Sequence, residues 1–179
     1  PYLAPQSTFW GLLFAADGFV TIRYSAKHQD DLAVLMEYIA EHADELHMDV
    51  DNLGFMTCCA SSLQASSYAN QPGHENVKFL VNLFGAVAVP HEEVCSIYVD
   101  ECKELHGCFY DYPLLEEFRQ DLPTLIVRAG LDTGTLPNGF IDHFVPIALE
   151  QNLDLTLINV PNVHMGFDVC MPKEPRTQQ

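Results

Sequence analysis

Between residues 30 and 46 the apolar positions fall at Leu32, Leu35, Met36, Ile39, Ala43 and Leu46, the spacing of one helix face, while Glu37, Glu41 and Asp44 take the other side. Asp30 and Asp31 at its start suit the positive end of the helix dipole. A similar reading predicts a short helix over 7–16, opened by Ser7 or Thr8 and closed at Asp17-Gly18, and another over 140–151, which Pro146 should kink or begin. Elsewhere the apolar residues run together. Residues 19–24, 53–56, 77–84, 123–130 and 153–160 read as strands, and the nearly continuous hydrophobicity of 77–84 favours a strand covered on both faces, as in a parallel sheet. A helix rich in Ala and Ser spans 60–69 and is broken by Asn70-Gln71-Pro72-Gly73. Residues 90–123 are irregular, with short helices expected near 92–105 and 114–120, and the polar tail 171–179 is expected to fray. Alternating strand and helix patterns predict one α/β domain over 1–179, with a mostly parallel sheet of about five strands and helices on both faces.

Composition narrows the partners. Of 179 residues 48% are hydrophobic, which fits a globular chain with a sizeable core. Eight Lys and Arg against 25 Asp and Glu leave a formal charge of −17, too few cations to form the basic patch that nucleic acid or an anionic membrane requires. No apolar run is long enough to span a membrane, and the first residues carry no signal-peptide pattern. The six cysteines (58, 59, 95, 102, 108 and 170) include an adjacent pair, a poor disulfide framework, so reduced thiols and a cytoplasmic setting are expected.

The chemistry concentrates where the 53–56 strand stops. Leu53-Gly54-Phe55-Met56 gives way to Thr57-Cys58-Cys59-Ala60-Ser61, and a helix follows. A sharp turn between strand and helix lifts one side chain off the sheet and aims the first helical N–H groups at the same point, so a nucleophile and part of an oxyanion hole arise together. A thiol at such a place has its pKa lowered by the dipole; a buried, inert cysteine that packs as a small hydrophobe is the competing reading of Cys59. Ser61 and Ser62 are substitutes that lie too far into the helix. Asp132 follows a buried strand, where open α/β sheets collect ligand-binding groups, although an Asp between Leu131 and Thr133 is also an ordinary turn residue. His164 falls just past the last strand.

The order strand–Cys59–helix, then Leu131-Asp132, then His164-Met165-Gly166-Phe167 resembles the second half of an α/β-hydrolase of the dienelactone-hydrolase kind. Thr57 and Ser61 stand where that family's elbow carries glycine, and Met165 stands where it carries its histidine, His164 lying one residue earlier. The resemblance implies an ester, lactone or related acyl substrate, with Cys59 as nucleophile, His164 as base, Asp132 as the acid that orients it and the Ala60 N–H as oxyanion donor. Neither metal nor organic cofactor is implied. It also implies that the chain begins at the first helix of that fold, so that it is N-terminally incomplete, and that 90–123 is a cap-like excursion over the site. The segment around Tyr110 could line a substrate pocket or simply pack as a loop. Sheet edges left open by the absent strands predict self-association, hence a homo-oligomer. A competing metal cluster would draw on His91, Cys95, Cys102, His106 and Cys108, whose intervals match no zinc knuckle. The alternative to an enzyme is an inactive hydrolase-like domain kept for binding or assembly.

Overall fold

The computed structural model describes residues 4–24, 28, 30–59, 61–88, 118–132 and 136–170. The chain divides into two compact units, Pro1–Val50 and Asp51–Gln179. The first contains helices α1 (Ala4–Ala16), α2 (Asp31–Glu41) and α3 (Ala43–Leu46). Because α1 already begins at Ala4, neither Ser7 nor Thr8 caps it. Leu32, Met36 and Ile39 form the buried stripe of α2, as the helical spacing requires. At His42 the backbone leaves helical geometry, with its N–H still bonded to the Tyr38 carbonyl, and this separates α3 from α2.

Residues 19–24 form no strand. They turn back on α1: the Phe19 N–H donates to the Phe14 carbonyl at 3.0 Å, the two rings meet at 5.7 Å, and Thr21 Oγ1 donates to the Gly11 carbonyl at 3.2 Å. An apolar run becomes a strand only when another strand supplies a ladder, and here a helix supplies the contacts instead.

Among the described residues the second unit is built on a parallel sheet of four strands, where about five were expected, in the order β1-β2-β3-β4. The strands are β1 (Leu53–Cys58), β2 (Val77–Leu83), β3 (Thr124–Ala129) and β4 (Leu155–Val160). Helix α4 (Ser61–Asn70) links β1 to β2 and packs on both, α5 (Leu136–Glu150) links β3 to β4, and the short α6 (Phe167–Cys170) follows. Pro146 lies well inside α5, so it removes one helical N–H without ending the helix. Thr57 of β1 and Asn82 of β2, paired in register, both point to α4, while Arg128 of β3 makes a forked ion pair with Asp142 of α5 at 2.6 and 2.8 Å.

Leu80, Ile126, Ile141, Phe144 and Ala148 are among the fully buried residues of this unit's core. Helix α4 is itself mostly buried despite its serines, because each buried polar group is bonded: Ser66 Oγ donates to the Val87 carbonyl and Asn70 Nδ2 to the Ser66 carbonyl at 2.8 Å. Arg119 closes the far end of this layer. Its Nη1 donates to the carbonyls of Ala69, His74 and Val77, tying the end of α4 to the start of β2. At the other margin, β4 is an edge strand with Leu157 and Ile158 exposed.

Candidate active site

All four strands run the same way, so their carboxyl ends share one rim, and the residues singled out from the sequence follow those ends in turn. Cys59 comes directly after β1, Asp132 after β3 and His164 after β4. Cys59 is exposed and has φ = +54°, a left-handed conformation costing a non-glycine residue about 1–2 kcal/mol. It is held there from both sides: its N–H donates to the Leu83 carbonyl at 3.1 Å and its carbonyl accepts the Ser62 N–H at 3.2 Å. Ser61 opens α4 and donates to the Cys58 carbonyl at 2.8 Å.

Beneath this turn lies a buried polar cluster. Ser62 Oγ donates to Asn82 Oδ1 at 2.6 Å, and Thr57 Oγ1 lies 3.2 Å from Ser62 Oγ and 3.4 Å from the Val81 carbonyl. Thr57 is thus a bonded core residue. Asn82 also binds both backbone groups of Gly85, accepting its N–H at 3.2 Å and donating to its carbonyl. A Cβ on Gly85 would collide with the Ser62 side chain and the Cys59 carbonyl, so glycine is what lets the exit of β2 approach the elbow.

Asp132 is buried, and His164 Nδ1 lies 2.7 Å from its Oδ1. The second carboxylate oxygen accepts the Met165 N–H at 2.5 Å. An ionised carboxylate can only accept, so Nδ1 carries the proton and Nε2 is left as the basic nitrogen. The His164 side chain is 72% exposed, and among the described residues no hydrogen bond joins it to the Cys59 thiol. The loop that carries it reaches toward the elbow: Phe167 packs edge-to-face on Phe84 at 5.1 Å. Partial burial pushes the Cys58 thiol up first of all, and the neighbouring Cys59 and Asp168 add to the shift.

Ala60, Tyr110 and the cysteines and histidines of the competing metal cluster lie outside the described residues, as does most of 90–123. Among the described residues no group of three or more His, Cys, Asp or Glu could hold a metal ion, and no helix is long and apolar enough to cross a membrane. Cys58 and Cys59 are free thiols. Asn82 and Gly85 escaped the sequence reading; the signal was a lone amide inside the apolar run 77–84.

No protein-family model matches the sequence, and no curated protein matches it either. Solved structures do. The chain superposes on MGS-M1, an α/β-hydrolase enzyme from a Medee basin deep-sea metagenome library, over 88% of its own length and 61% of that chain (13% identity, TM-score 0.56). For the esterase Est22 the figures are 84% and 50%, with 18% identity and a TM-score of 0.58. A protein of Klebsiella pneumoniae assigned as a dienelactone hydrolase gives 84% and 55%, with 13% identity and a TM-score of 0.54. The chain therefore spans about half to three-fifths of the length of these structures. The parallel sheet, the elbow after β1 and these likenesses together establish that the chain has an α/β-hydrolase fold similar to that of a dienelactone hydrolase.

Proposed function

We propose that this chain hydrolyses an ester, lactone or related acyl bond, with Cys59 as nucleophile, His164 as base and Asp132 as the group that orients the base. The observation that carries the reading is the Asp132–His164 pair, set on the same sheet rim as a left-handed, exposed Cys59. The Cys59 thiol loses its proton to His164 Nε2, and the sulfur attacks the carbonyl carbon. The tetrahedral oxyanion is met in this reading by the Ala60 N–H. Collapse expels the alkoxide, which takes the proton back from His164 as it leaves, and a thioester remains on Cys59. Water then attacks that thioester, giving its proton to His164, and the acid leaves as the thiol is restored. Tyr110 lines the acyl pocket in this reading, and no metal or organic cofactor takes part. The neighbours described as esterases and hydrolases support the reaction class.

The same reading makes 1–179 a single functional module with 90–123 as its roof, working on small molecules in the cytoplasm and self-associating through open sheet edges; nucleic acid and membranes are not its partners. A second reading, an inactive domain kept for binding or assembly, draws on the absence of a Cys59–His164 hydrogen bond among the described residues. A chromogenic ester separates the two. A burst of released alcohol that vanishes in Cys59→Ala supports the enzyme; no burst in the parent chain, or one that survives Cys59→Ala, refutes a Cys59 nucleophile.

A further inference from the structure

We propose that Asn82 and Ser62 are positioning residues that hold the Cys59 elbow in register with the loop bearing His164; the catalytic consequence rests on the acyl-transfer reading above, the structural link on geometry alone. Asn82 is a wholly buried amide in a strand of mainly apolar side chains. Its oxygen takes the Ser62 hydroxyl at 2.6 Å and the Gly85 N–H at 3.2 Å, and its nitrogen donates to the Gly85 carbonyl. Every polar atom of the amide is therefore directed at two places, the first turn of α4 and the turn that ends β2. These are the places that fix Cys59. The Ser62 N–H binds the Cys59 carbonyl, and the Leu83 carbonyl, next to Asn82, binds the Cys59 N–H.

The same turn continues into the histidine loop. Phe84, which also has a left-handed backbone (φ = +59°), donates its N–H to the Val127 carbonyl at 2.9 Å and lays its ring against Phe167, three residues beyond His164. One buried amide is thus common to the turn that presents the thiol and the turn on which the imidazole loop rests. Apolar packing is non-directional and does not by itself fix which groups of α4 and β2 meet. The hydroxyl adds direction.

Ser62→Ala tests this cleanly. It removes the donor to Asn82 while leaving Asn82 both of its bonds to Gly85 and leaving Thr57 the Val81 carbonyl. Amide-exchange protection, measured residue by residue on the full chain, should fall at least about tenfold at Cys59, Ser62 and Gly85 and stay unchanged at Ile126 and Val127 in β3. Turnover of a chromogenic ester should lose roughly 10–100-fold in kcat with KM within about twofold, because misorientation weakens the chemical step more than binding. In a double-mutant cycle with Asn82→Ala the two losses of protection at Cys59 should not add; if Asn82→Ala does not fold, Ser62→Ala decides by itself. Unchanged protection at Cys59, or a uniform loss across the sheet, overturns the proposal. A parent chain with no ester turnover refutes the acyl-transfer reading, and the exchange pattern still decides the structural link.

Discussion

His164 Nδ1 sits 2.7 Å from Asp132 Oδ1, and the other oxygen of the same buried carboxylate takes the N–H of Met165 at 2.5 Å. One side chain therefore holds both the ring and the backbone beside it. A histidine placed one residue before the usual position is in this way still fastened to the acid. In Asp132→Asn the remaining carbonyl oxygen satisfies Met165, the amide turns its hydrogens toward Nδ1, and the proton moves to Nε2, where, on the proposed acyl-transfer reading, it blocks base catalysis. Ester turnover is expected to fall about 10³–10⁴-fold with little change in Tm. Asp132→Ala should lose activity similarly but also leave the half-buried Met165 N–H without its carboxylate partner, costing about 1 kcal/mol in a denaturant titration.

The Cys58 thiol should titrate above its unfolded value. Burial raises the Cys58 thiol, and Cys59 and Asp168 raise it further, so alkylation of Cys58 by iodoacetamide should have its midpoint above that of an unfolded thiol. Negative charge disfavours thiolate, hence Asp168→Asn should bring the Cys58 midpoint down. Since the folded value is the raised one, the stability contributed by this thiol is complete below the unfolded pKa and is lost as pH rises through the folded pKa. Peptide mass spectrometry across a pH series reads the Cys58 midpoint in the folded and in the denatured chain; equal midpoints would contradict the assignment.

Two glycines meet different neighbours, and their alanine variants should differ accordingly. A Cβ at Gly54 would strike the ring end of Phe79, which can swing aside, whereas at Gly85 it would meet the Ser62 Cβ and the Cys59 backbone carbonyl, which cannot. Gly85→Ala is expected to cost about 1–3 kcal/mol and Gly54→Ala less. At roughly 2–4 °C per kcal/mol the difference is visible in thermal melts.

Arg119 offers a test of which of its bonds matter. Its pair with Asp121 is geometrically good, at 2.9 and 3.0 Å, but the Asp121 side chain is 71% exposed. Asp121→Asn should therefore cost below about 1 kcal/mol. The bonds to the Ala69, His74 and Val77 carbonyls are made by a side chain only 13% exposed, so Arg119→Ala should cost about 2–4 kcal/mol. Arg119→Lys should recover little of this, because an ammonium lacks the planar fork that serves Asp121 and the carbonyls together. Urea titrations of the three variants give the ranking.

How much of this was legible in the chain follows from what each signal depends on. The strands at 77–84 and 123–130 were readable because a buried parallel strand writes its own burial into consecutive apolar residues, and those at 53–56 and 153–160 carry similar apolar runs although β4 is an exposed edge. Residues 19–24 carry an equally apolar run, yet a strand is a relation between two segments, and no pattern within one of them reports the partner. That Cys59, Asp132 and His164 each follow a strand end, of β1, β3 and β4, was legible from the order of the apolar runs. Asn82 was not, since a single amide in an apolar strand says only that something polar meets it, and Ser62 is distant in sequence. Met165 contributes through a backbone N–H, to which side-chain identity is blind.

The spatial order of the sheet is also its order of synthesis. As they leave the ribosome, β2, β3 and β4 each meet an edge supplied by the described strand made just before it. These four strands can therefore add in one direction as the chain emerges, β2 onto β1, then β3, then β4. Protease protection of ribosome-stalled chains should appear in that sequence, beginning before β3 has been translated.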